Sequence, residues 1–65
     1  MNIRFNGEQR TVTGRTLADV LKELGLGDAS VATAVNSEFV PAVERESHEL
    51  FPGDRIEALA PMQGG

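Results

Sequence analysis

The chain has 65 residues, a formal net charge of −4, no cysteine and one histidine. That length permits one domain with a small core. The missing cysteines exclude disulfide staples, thiolate metal sites and thiol chemistry, and a lone histidine excludes an ordinary histidine zinc cluster.

Residues 2–6, NIRFN, alternate polar and apolar, which predicts a half-buried strand with Ile3 and Phe5 on its inner face. Asn6-Gly7 is a two-residue hairpin signal, because both residues accept positive φ. EQRTVT then reads as the returning strand, with Val12 its one clear core residue. In TLADVLKELG, Leu17, Val20, Leu21 and Leu24 recur at i, i+3, i+4 and i+7, the stripe of an amphipathic helix over about 16–25. Thr16 with Asp19 three residues on resembles a capping box. Gly25 suits the left-handed position after the helix, with Leu26 folding back onto it. VATAVN is apolar on both faces, as expected of a central strand. Asn36-Ser37 turns the chain, EFV is a short strand, and Pro41 stops it. Residues 42–49 lack periodicity and read as a loop or a short helical turn. LFPGD supplies an apolar pair and a Pro-Gly turn, RIEALA is the last strand, and Pro61 ends it.

One helix must cover one face of a mixed sheet. The expected class is therefore α+β, with four to five strands under one main helix. Residues 1–61 make the domain and 62–65 a flexible tail ending in Gly-Gly. An alternating pattern beginning at residue 2 leaves no sign of a signal peptide, and no apolar run approaches the ~20 residues that cross a bilayer. A soluble cytoplasmic protein without a membrane partner is the expectation.

Charge is unevenly placed. In residues 1–36, Arg4, Arg10, Arg15 and Lys22 cancel Glu8, Asp19, Glu23 and Asp28. In residues 37–65, Glu38, Glu44, Glu46, Glu49, Asp54 and Glu57 outnumber Arg45 and Arg55, so the whole surplus lies there. Nucleic acid is a poor partner for such a chain, since phosphate binding needs a basic footprint. A basic protein surface fits better, and solubility alone is the plainer account.

Side chains that could carry chemistry are few. His48 lies in a polar stretch and reads as a solvated loop histidine. Ser30, Ser37 and Ser47 have no evident base and no nucleophile-elbow glycines. Glu44, Glu46 and Glu49 read as a solvated face, because paired carboxylates need a cleft to separate their pKa values. Asp28 and Asp54 lack calcium-loop spacing, and Gly25 with Gly27 makes no phosphate loop. No metal site is expected. What remains is Gly64-Gly65, a pair that chance places at a chain end in roughly one case in 200. A frayed end is one reading. The other makes the terminal carboxylate the working group: glycines are thin enough for a narrow tunnel to close around them, and activation by ATP to an acyl-adenylate would open the carboxyl carbon to attack.

The whole chain, and most clearly TLADVLKELG, VATAVNSEFVP and PGDRIEALAPMQGG, resembles the ubiquitin-like β-grasp sulfur carriers of the ThiS/MoaD family, on the side that serves thiazole synthesis in the thiamine pathway. The resemblance implies a β-grasp fold and a protein co-substrate that is not itself an enzyme. A ThiF-type adenylyltransferase would activate the carboxylate of Gly65 with ATP and magnesium, the carrier itself binding no cofactor. Sulfur from a cysteine desulfurase pathway would convert Gly65 to a thiocarboxylate, and thiazole synthase (ThiG) would accept it. Without cysteine, the terminus is the one place where this chain could hold sulfur. Gly64 belongs to the same reactive end, while Leu59, Met62, Gln63 and Phe39 are the expected partner-binding residues. Leu59 lies opposite Ile56 in strand alternation and is therefore exposed if Ile56 is core; an ordinary edge residue is the alternative. Ser37, Ala42 and Pro52 depart from the family pattern, which often has glycine, a basic residue and an acidic residue there. Alternatives are a MoaD-like small subunit of molybdopterin synthase, a ubiquitin-like modifier of lysines, and a plain interaction module.

Overall fold

The computed structural model describes residues 1–27 and 30–60. Strands β1 (Asn2–Phe5) and β2 (Glu8–Thr11) form a hairpin, followed by helix α1 (Leu17–Glu23), strands β3 (Ala32–Val35) and β4 (Glu38–Val40), a 3-10 turn at Ala42–Glu44, and β5 (Arg55–Leu59). The sheet order is β2-β1-β5-β3-β4. β5 runs parallel to β1, and the other neighbours are antiparallel. The valine-rich segment expected to be central is therefore interior but not the middle of the sheet, which the last strand occupies. Its open-face residues are alanines: Ala32 is exposed and Ala34 half-buried, so among the described residues the sheet is covered on one side only.

Both hairpins close on two residues with positive φ, Asn6 (49°) with Gly7 (84°) and Asn36 (50°) with Ser37 (72°). That is the turn whose twist matches the flanking strands.

Helix α1 is shorter than the expected 16–25, because its caps take the end residues. All four N–H groups of its first turn have partners: Leu17 donates to His48 O, Ala18 to Arg45 O, Asp19 to the Thr16 hydroxyl and Val20 to Thr16 O. At the other end Gly25 (φ 83°) donates to Lys22 O and Leu26 to Leu21 O. These are the paired bonds of a Schellman cap, and Leu26 packs against the core as its apolar contact.

The core is one cluster: Ile3 and Phe5 of β1, Val12, Leu17, Val20 and Leu21 of α1, Val35, Val40, Leu50 and Ile56. Burial of each large aliphatic side chain contributes about 1.5–3 kcal/mol. Leu24, the fourth residue of the helical stripe, is half-buried at the margin. The LFPGD pair divides, with Leu50 in the core and Phe51 63% exposed. Thr33 is a polar residue inside. Its hydroxyl donates to Val40 O (2.9 Å) and accepts from Arg45 Nε (3.0 Å), while Arg45 also donates to Val31 O. Among the described residues no buried side-chain polar atom lacks a partner.

Candidate functional site

β5 is the last strand among the described residues, and the expected site residues 62–65 follow it in sequence. It is held on both sides, by β1 and β3, and the two hairpin asparagines hold its ends. At the start, the Asn36 side-chain oxygen accepts from Arg55 N–H (3.0 Å) while the Asn36 N–H donates to Arg55 O (2.7 Å). Towards the finish, Asn6 N–H donates to Ile56 O (2.9 Å), its side-chain oxygen accepts from Ala58 N–H (2.9 Å), and its amide nitrogen donates to Ala58 O (3.2 Å). Asn6 thus continues the β1–β5 ladder with its side chain, one residue before Leu59. Sequence reasoning assigned both asparagines to turns and missed this second use. The only available signal was asparagine at the first position of both two-residue loops.

Strand alternation places Leu59, Ala32, Ala34 and Phe39 on the open face, since Leu59 pairs with Ala32 and Phe39 with Ala34. Leu59 is 67% exposed and Phe39 68%, with the two small alanines of β3 between them. The expected site residues Met62, Gln63, Gly64 and Gly65, and the tail at 62–65, lie outside the described residues.

Elsewhere the described residues offer little reactive chemistry. No group of three His, Cys, Asp or Glu side chains that could hold a metal ion occurs among the described residues. Glu44, Glu46 and Glu49 are exposed, as the sequence implied, while His48 is half-buried instead of fully solvated. The loop carrying it crosses the helix start, where its backbone carbonyl accepts from Leu17. A cavity of about 470 Å³ between α1 and the 3-10 turn is lined by Thr16, Asp19, Lys22, Arg45 and Glu46 among others, on the helix side of the sheet. Glu23 holds its proton unusually weakly. Its carboxylate accepts from Gly14 N–H (2.9 Å) and Thr13 N–H (3.0 Å), with a further bond from the Thr13 hydroxyl, and these lower its pKa. That makes Glu23 a fixed anion pinning the β2–α1 loop to the helix. No helix among the described residues is long and apolar enough to cross a membrane.

A five-stranded mixed sheet in this order, with one helix packed across one face, defines a β-grasp domain. The ThiS family model matches residues 3–65, and the chain belongs to the ThiS family. It is similar to the curated sulfur carrier protein ThiS of Thermus thermophilus, 42% identical over 61 residues that cover 94% of this chain and 95% of that one. Its similarity to the sulfur carrier protein ThiS of Escherichia coli is 30% identity over 66 residues, spanning both chains completely. Among solved structures, the crystal structure of the thiamine biosynthesis protein ThiS from Geobacter metallireducens superposes with a TM-score of 0.86 at 29% identity, over all of both chains.

Proposed function

We propose that this chain is a cytoplasmic sulfur carrier for thiazole formation in thiamine biosynthesis, with the Gly65 carboxylate as its working group. The observation that carries the reading is the family match, which runs through the glycine pair to residue 65 in a chain without cysteine. The geometry is consistent with it. β5 is paired on both sides, with β1 and β3, so docking the domain would fix where residues 60–65 begin. Six residues span at most about 20 Å when extended, enough to enter a partner's active site while the domain stays outside.

In the proposed cycle a ThiF-type adenylyltransferase binds ATP and magnesium. The Gly65 carboxylate attacks the α-phosphorus and releases pyrophosphate. In the acyl-adenylate, AMP is a good leaving group: the persulfide that a desulfurase draws from cysteine displaces it to form an acyl disulfide, and a partner's thiol cleaves the S–S bond, becoming a disulfide itself and leaving a thiocarboxylate. Thiazole synthase then takes the sulfur, and an oxygen from the acceptor's carbonyl or from water takes its place on the Gly65 carbon to restore the carboxylate. The carrier contributes position, a carbonyl carbon unshielded by any Cβ on Gly64 or Gly65, and a docking face at Leu59 and Phe39, joined by Met62 and Gln63. It is a co-substrate, and the catalytic groups and cofactors belong to its partners.

The test is intact mass after incubation with the activating enzyme, ATP and a sulfur donor. One sulfur-for-oxygen exchange mapped to Gly65 is expected, and deleting Gly65 should abolish it. An unchanged mass with the cognate activating enzyme would sink the reading.

A further inference from the structure

The open face of the sheet inverts the charge of the molecule. Its charged strand residues are Arg4, Arg55 and Glu57, two cations against one anion, on a chain of net charge −4. Arg4 and Arg55 are register partners on the parallel strands β1 and β5. Their side chains therefore leave the same face from backbones about 4.8 Å apart. Like charges directly opposed across a sheet are destabilising, so the juxtaposition of the two charges does not itself favour folding. Both residues are exposed. Arg4 is also oriented, because its Nη1 donates to Gly7 O at 3.0 Å across the hairpin turn. With Gly7, Ser37, Ile56 and Glu57, the two arginines line a shallow concavity of about 250 Å³.

We infer that Arg4 and Arg55 form a clamp for carboxylate side chains on the enzyme that activates the tail. The inference rests on the carrier reading above and adds the chemistry of the partner surface: apolar over Leu59, acidic over the arginine pair. Charge complementarity favours carboxylates, since two arginines leaving the same face of neighbouring strands offer two guanidinium groups, each suited to planar, bidentate acceptors. Continuity favours a protein over a free anion. Arg55 and Leu59 lie on the same face of one strand, about 13 Å apart at 3.3 Å per residue. A partner covering Leu59 thus extends over the pair, excludes water there and strengthens each contact. The acidic surplus lies elsewhere: Glu8 and Glu38 pair with the inward-facing Phe5 and Val35, and Glu44, Glu46 and Glu49 lie in the loop before β5. The open face is therefore free to attract acid while the rest of the molecule repels it.

The experiment is ATP–pyrophosphate exchange by the ThiF-type enzyme of the same genome, with carrier concentration varied, for wild type, R4Q/R55Q and R10Q. Arg10 is an exposed control, paired with the inward-facing Ile3. The double variant should raise KM for the carrier about tenfold, the size expected for two rim ion pairs. Its kcat should be unchanged and its salt dependence flattened. Its melting temperature should be no lower than wild type, because a like-charge juxtaposition is gone. R10Q should match wild type. An unchanged KM in R4Q/R55Q, or an equal rise in R10Q, overturns the clamp while leaving the carrier reading intact. Stabilisation of wild type by inorganic phosphate that R4Q/R55Q loses, with KM unchanged, would make the pair a small-anion site and also overturn it. Absence of exchange with wild-type carrier removes the carrier reading and the clamp together.

Discussion

Replacing Ser37 by glycine should stabilise this domain, whereas replacing its neighbour Asn36 by glycine should weaken it. Both residues occupy the left-handed region, at φ 72° and 50°. For an L-residue that conformation costs about 1–2 kcal/mol, and asparagine tolerates it better than serine. Glycine at 37 removes the strain but gives the unfolded chain more freedom, an offset of about 0.4–1 kcal/mol. The net gain is about 0.5–1 kcal/mol. With an unfolding entropy near 2.1 cal/mol/K per residue, 65 residues convert that into a rise in Tm of about 4–7 °C. Asn36 differs because its side chain is used: it accepts from Arg55 N–H and donates to Asp54 Oδ1 at 3.1 Å. Losing two such bonds costs about 1–2 kcal/mol, more than the small strain relieved. Thermal unfolding followed by circular dichroism on Ser37→Gly, Ser37→Ala and Asn36→Gly decides the matter. Alanine keeps the Cβ and should bring no gain. A Tm for Ser37→Gly at or below wild type would refute the reasoning, as would the same sign of change for both glycine variants.

Thr33→Val should lower stability by about 1–3 kcal/mol, since it removes the hydroxyl that donates to Val40 O and accepts from Arg45 Nε at a site where Thr33 is 1% exposed; chemical denaturation measures this. Leu59→Arg should leave the unfolding midpoint within about 0.5 kcal/mol of wild type but weaken binding to the activating enzyme, read by titration calorimetry. Unfolding of that variant would make Leu59 a core residue. For Glu23, the folded pKa is depressed, so its contribution is present above the ordinary carboxylate range and lost as pH falls through the lowered value. Glu23→Gln should therefore be less stable than wild type at neutral pH, and the two should converge in acid. A gap in Tm that stays constant down the pH series would contradict that assignment.

The arrangement of strands puts the last strand inside the sheet. In an antiparallel meander the last strand would lie at an edge. Here the parallel pairing of β1 with β5 draws the last strand into the middle, where two ladders and two asparagine side chains hold it. The edges go instead to β2, exposed throughout, and to the three-residue β4. Short or polar edges resist pairing with other chains. The sequence beyond β5 thus continues from a strand that is paired on both sides.

Much of this was legible in the residues themselves. The helical stripe of Leu17, Val20 and Leu21, the Gly25–Leu26 cap, the Asn6-Gly7 and Asn36-Ser37 turns and the exposure of Leu59 opposite Ile56 each depend on neighbours within about one or two turns of chain. Periodicity and turn chemistry report such neighbours directly. The lack of cysteine and the closing Gly64-Gly65 likewise needed no coordinates to direct attention to the carboxylate. Other features join residues that the sequence holds far apart. Asn6 meets Ala58 across 52 positions, Arg4 meets Arg55, and Arg45 reaches back to Thr33 and Val31 to seat the loop beside the sheet. No local rule contains these pairings, because they follow from which strands become neighbours once one helix has covered one face. The sequence alone determined the elements and singled out the terminus. The tertiary structure decided that β5 lies at the centre, that asparagine side chains hold it, and that two arginines share its open face, since only closure of the whole sheet brings those groups together.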